Sequence, residues 1–98
     1  MVEINWTHEA QVWLKDIYGY IAIDNREAAQ RTIAGIFARV QSLKRHPRLG
    51  HRYEAEASRE VRVLLYGHYR IACVIRSEET IDILGVFHGA LNIERYLV

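Results

Sequence analysis

The stretch from Arg59 to Ile75, REVRVLLYGHYRIACVI, leaves little freedom in how it can fold. Its flanks are rich in Val, Ile, Leu and Tyr, the residues that favour strands, and Gly67-His68 is a natural two-residue connection. The segment is therefore expected to fold back on itself as an antiparallel hairpin carrying arginines at Arg59, Arg62 and Arg70.

The rest of the chain supplies partners for that hairpin. Val2, Ile4 and Trp6 alternate with Glu3 and Asn5, which predicts a short strand over residues 2–6. Thr7 is placed to cap a helix opening at Glu9-Ala10, in which Ala10, Trp13, Leu14, Ile17, Tyr18 and Ile21 recur at helical spacing. Asp24-Asn25 breaks the pattern. A second helix is expected from about Glu27 to Arg45, with Ala29, Ile33, Ile36, Phe37, Val40 and Leu43 as its apolar stripe. So short a link makes the two helices an antiparallel hairpin. Gly35, costly inside a helix, points to close helix packing there, and Pro47 ends the helix. Residues 46–50 read as a loop and Arg52 to Ser58 as an irregular connection. Strands follow at about 59–66, 69–76 and 80–87. Strict alternation puts Ile81, Ile83, Gly85 and Phe87 on one face of the last strand, and Asp82, Leu84, Val86 and His88 on the other. The tail from Asn92 to Val98 is expected to be a helical turn or an extended arm. The fold class is α+β in the order β-α-α-β-β-β: an N-terminal helical hairpin packed on a small, largely antiparallel sheet. Periodicity does not order the strands.

At 98 residues, half of them apolar, the chain is expected to form a single domain over residues 1–98. Cys73 is the only cysteine, so no internal disulfide is expected. No apolar run approaches the roughly 20 residues that span a bilayer, and the N-terminus lacks the form of a signal peptide. A cytoplasmic protein is expected. The net charge of +1 conceals an asymmetry. Residues 39–76 hold nine basic and three acidic side chains, +6 in net, which leaves −5 for the remainder. A cationic half attracts nucleic acid or an acidic protein segment, although arginines also serve simply as a solvated surface.

Phosphate-binding glycine loops, C-x-x-C pairs and H-E-x-x-H are absent from the sequence, so neither a nucleotide cofactor nor a metal is expected. Metal-free RNA cleavage would need a base, an acid and positive charge for the pentacoordinate phosphate. Arg62 and Arg70 offer the charge. Glu60, His68, Tyr69, His88 and Tyr96 are the proton-transfer candidates, each with a plainer role: Tyr69 as a packing residue, His68 as a turn residue, Glu60 as an arginine's partner. Arg59, Arg62 and Arg70 make the firmer case as a cluster. Arg62 and Arg70 fall on adjacent strands and are expected near one another. Like charges across strands are mildly destabilising, and a bound acidic peptide, a phosphate or a neighbour such as Glu60 relieves them.

Six segments in order resemble the ParE/RelE superfamily of bacterial toxins, and its ParE branch in particular. WTHEA at residues 6–10 resembles the opening W-[ST]-x-x-A. IYGYIAIDNREAA at 17–29 resembles I-x-x-Y-I-A-x-D-N-P-x-A-A, with Arg26 at the proline. LKRHPRLGH at 43–51 resembles L-x-x-x-P-x-x-G-R, with His51 at the arginine. REVR at 59–62 and YRI at 69–71 resemble the hairpin motif. FHGAL at 87–91 resembles V-x-H-G-A-R, with Leu91 at the arginine.

The resemblance implies the toxin of a type II toxin–antitoxin pair, bound and neutralised by a cognate ParD-like antitoxin in a hetero-oligomer. ParE-like members act on DNA gyrase and leave broken DNA; RelE-like members cut mRNA on the ribosome. The two share a fold, so fold alone does not choose between them. Arg70 matches the arginine of the nucleases' Y-R motif, but Leu91 replaces their C-terminal arginine and Tyr96 is one position out of register. A non-enzymatic gyrase poison is therefore the first reading. A metal-independent endoribonuclease using Arg62, Arg70, His88 and Tyr96 is the second. An inactive toxin fold that only binds antitoxin is the third. For the antitoxin or target, the expected contacts are Arg59, Glu60, Arg62, Tyr69, Arg70 and His88. Direct nucleic-acid binding is expected only through the antitoxin complex.

Overall fold

The structure is a computed structural model and describes residues 2–54 and 58–89. A first strand, β1 (Glu3–Trp6), leads into α1 (His8–Ala22) and α2 (Arg26–Gln41), and a single 3-10 turn (Ser42–Lys44) ends the second helix. The strands β2 (His51–Arg52), β3 (Glu60–Tyr66), β4 (Tyr69–Ile75) and β5 (Thr80–His88) follow. The expected tail and Tyr96 lie outside the described residues. No described helix is long and apolar enough to cross a membrane.

The five strands form one sheet in the order β1-β5-β4-β3-β2. β1 lies parallel to β5, and the remaining pairs are antiparallel. The α+β class and the helical hairpin agree with the sequence reading. Two features were not expected: the two-residue strand β2, inside a segment read as loop and irregular connection, and the pairing of the first strand with the last. The hairpin turn falls where expected. Gly67 has φ +56° and His68 is not in the left-handed region, the combination of a type II′ turn, and Tyr66 pairs with Tyr69 across it.

Thr7 anchors the helices to the sheet. Its hydroxyl accepts from Ala10 N at 3.2 Å, capping α1, and donates to Ile83 O at 2.7 Å. Its own backbone N–H also donates to Ile83 O, at 3.2 Å. Asn25 caps α2 through its side chain, which accepts from Ala28 N at 3.0 Å.

The helices cover one face of the sheet. Ala10, Ile36, Val40 and Leu43 pack there against Leu64, Ile71, Cys73, Ile75, Ile81, Ile83 and Val86. On the other face Val61, Ala72, Val74 and Phe87 form a smaller cluster with Tyr53, Val63 and Leu84. Trp13 touches both clusters and meets Phe87 edge-on, with ring centroids 4.8 Å apart.

Strict alternation along β5 is corrected by a β-bulge. Ala72 pairs with Gly85 but Cys73 with Ile83, which leaves Leu84 as the extra residue. Ile81 and Ile83 face the helices as expected, but beyond the bulge it is Val86 that does so, and Phe87 turns to the opposite face. The bulge thus puts His88, the cross-strand partner of Tyr69, on the helix side.

Two further readings are refined. Phe37 belongs to the predicted stripe of α2 but is half-exposed and stacked on Trp6, with centroids 6.0 Å apart. Gly35 marks a close approach not between the helices but from β3: a Cβ added there would overlap the Oη and Cζ of Tyr66. Gly35→Ala is therefore expected to destabilise the fold by about 1–2 kcal/mol in urea unfolding, overpacking outweighing the gain in helix propensity of up to about 1 kcal/mol. In a Tyr66→Ala background the same substitution should cost less or become stabilising. Additive effects in that double-mutant cycle would refute the packing account.

Candidate functional site

The predicted residues separate into two groups at opposite ends of the hairpin. At the open end, Glu60 and Arg62 project from the helix-side face of β3, two residues apart. Glu60 accepts from Arg62 Nε at 2.8 Å and from Arg48 Nε at 2.9 Å, the latter in the loop after α2. Arg62 also donates from Nη1 to Gly50 O at 2.9 Å. The cross-strand like-charge pair is not Arg62 with Arg70 but Arg62 with Arg52 of β2. Two arginines thus share one carboxylate, and their hydrogen bonds, Arg48's first, hold it ionised down to about 2. Glu60 raises the Arg48 guanidinium in return. Arg59 is half-buried beside them. Cys73, opposite Arg62, is fully buried, and burial pushes its thiol up to about 11, so it is no nucleophile.

At the closed end, Tyr69 faces His88 across the β4–β5 ladder, ring edge to ring face at 5.8 Å. His68, in the turn, stacks on His88 at 6.3 Å. Arg70 sits beside them but on the face away from the helices, paired with Leu65 and Phe87. Arg62 and Arg70, expected to lie together, are three ladder positions apart, about 10 Å along the strand, and on opposite faces. Alternation decides this, because one belongs to an even position of β3 and the other to the opposite set of β4.

Beside the closed end a groove of about 500 Å³ runs between α1 and the ends of β4 and β5, lined by Trp13, Asp16, Ile17, Tyr20, Tyr69 and His88. Tyr20 and Ile23, near the end of α1, are the most exposed large apolar side chains among the described residues, at 72% and 83%. The sequence reading missed Arg48 and Arg52 as members of the basic cluster and α1 as a wall of the groove. One acid among many arginines signalled that cluster. The groove left no comparable trace, since its residues share the period that also fills the core.

The architecture is a helical hairpin on one face of a mixed sheet, with a basic β-hairpin at its centre. The family model described as "ParE toxin of type II toxin-antitoxin system, parDE" matches residues 4–92, and the chain belongs to that family. Among solved structures it is similar to a chain described as "Chromosomal ParDE TA system from P. aeruginosa", with TM-score 0.73 and 23% identity, covering 90% of this chain and 96% of that one. At that identity the likeness establishes the fold. No curated protein sequence matches. The resemblance read from the six segments is thus borne out, and with it the toxin class.

The Glu60 cluster has a signature in acid. A carboxyl lowered from 4.5 to about 2 adds stability that is fully present above the ordinary carboxylate range and is lost as the pH falls to about 2. Because the pairs lie at the surface, Glu60→Gln should cost under about 1 kcal/mol at neutral pH. In urea unfolding, the gap between wild type and Glu60→Gln should narrow as the pH drops below about 5 and close towards 2. A gap that stays constant would refute the ion-pair account.

Proposed function

We propose that this ParE-family toxin acts by binding DNA gyrase and trapping cleaved DNA, with no catalytic centre of its own. The supporting observation is the divergence of the two arginines that a nuclease would need together: Arg62 and Arg70 project from opposite faces of the sheet. Glu60 adds to it, since a carboxyl lowered to about 2 and held by two guanidiniums is too weak a base to take a proton from a 2′-hydroxyl. The whole 98-residue chain is taken to act as one unit in the cytoplasm, where gyrase and mRNA are met.

The toxin–antitoxin assignment implies an antitoxin partner. We place an amphipathic segment of it along the α1 groove, covering Tyr20 and Ile23, with acidic residues reaching the cluster of Arg48, Arg52 and Arg62. Arg52 and Arg59, at the open end of the hairpin, carry the electrostatic part of this reading.

Purified toxin added to gyrase, plasmid and ATP should abolish supercoiling and accumulate cleaved DNA. Untouched gyrase with ribosome-dependent mRNA cleavage that is lost in Arg70→Ala would instead establish the nuclease. Antitoxin affinity should fall at least tenfold in an Arg52→Glu/Arg59→Glu double reversal at low salt. Unchanged affinity would overturn the electrostatic part.

A further inference from the structure

The link from the helices to β3 is held by charge rather than by packing. Leu43 is buried, and Tyr53 packs against the smaller cluster. Of residues 45–52 between them only Gly50 is buried, and it has no side chain. A Cβ there would stand 2.8 Å from Val63 O, so the backbone lies directly against β3. A hollow of about 80 Å³ lies beside it, bounded by Arg39 of α2, by Leu49 and His51, and by Val63 and Leu65 of β3. A stretch with so little buried apolar surface opens more readily than the core.

Three kinds of contact hold these residues to β3. Tyr53 N–H donates to Val61 O at 2.8 Å. Antiparallel alternation then makes His51 and Val63 the next hydrogen-bonded pair, with Arg52 and Arg62 opposite one another in between. Arg62 Nη1 donates to Gly50 O at 2.9 Å. The Glu60 carboxylate joins Arg48 to Arg62. The ladder works against a repulsion. Opposed residues without a ladder bond bring their side chains closest, and here both are guanidiniums. Glu60 offsets that repulsion from the same strand, and Glu78 attracts Arg48 more weakly.

We propose that residues 45–52 form a strap that opens from β3 as a unit between Leu43 and Tyr53, pinned by the Glu60 carboxylate and loosened by Arg52. Opening would bare the N–H and C=O of Val63 on the outer side of β3 and release the Arg48 guanidinium. The core would stay closed, because Leu64 turns its backbone the other way, to Ile71 of β4. A bared strand edge is where a further strand can pair. The strap goes beyond the gyrase and antitoxin readings, since neither partner is needed to open it.

The test is amide hydrogen exchange of the full labelled chain at neutral pH, read by NMR and corrected for each amide's intrinsic rate. In the wild type, His51 and Val63 should exchange at least about tenfold faster than Leu64 and Ile71. Low, non-denaturing urea should leave their rates nearly unchanged while it speeds Leu64 and Ile71, because a local opening exposes little surface. Glu60→Gln should speed His51 and Val63 about threefold. Arg52→Gln should slow them about twofold. Arg52 is exposed, so that variant, with its opposite sign, decides the matter if Glu60→Gln perturbs the fold. Rates and urea dependence at His51 and Val63 equal to those at Leu64 and Ile71 would overturn the proposal. So would exchange at His51 and Val63 indifferent to both substitutions. No partner is present in this experiment, so its failure leaves the gyrase and antitoxin readings standing, and theirs leaves the strap standing.

Discussion

Thr7 governs how the two layers meet. One hydroxyl caps α1 and binds the carbonyl of Ile83, immediately before the residue at which β5 bulges. A helix fixed at its first turn to the middle of a strand has little choice of direction, so α1 passes along β5 and carries Trp13 to Phe87. α2 follows through the Asn25 cap and brings Ile36, Val40 and Leu43 down on the same face. The parallel β1–β5 pair, the helical hairpin and the aromatic corner all depend on that one contact between the first turn of a helix and the last strand.

Much of this was legible in the sequence, because the elements obey their own periods. The cap at Thr7, the break at Asp24-Asn25, the type of each long element and the two-residue turn at Gly67-His68 are local effects, set by a few neighbouring residues. What escaped reading was non-local. The partner of β1 depends on the whole chain. β2 exists only because β3 offers it an edge. Leu84 looks like any other apolar residue in an alternating run, yet it reverses the facing of everything after it.

The site was legible in the same uneven way. Arg59, Glu60, Arg62, Tyr69, Arg70 and His88 lie on or beside the hairpin, but in two groups at its opposite ends with different chemistry. The assumption that Arg62 and Arg70 meet failed on parity alone: their positions on paired strands put them on opposite faces. The role of Glu60 was anticipated as an arginine's partner, whereas Arg48 could be assigned only once the loop after α2 was seen to return to β3.

The borders of the sheet are short. β1 offers four residues on one side and β2 two on the other. A long, flat, unpaired border invites identical chains to join strand to strand, and a chain with several large apolar side chains at its surface would be especially prone to it. Among the described residues the outermost strands offer little border of their own to template such growth, which eases the keeping of a sticky exterior for specific recognition.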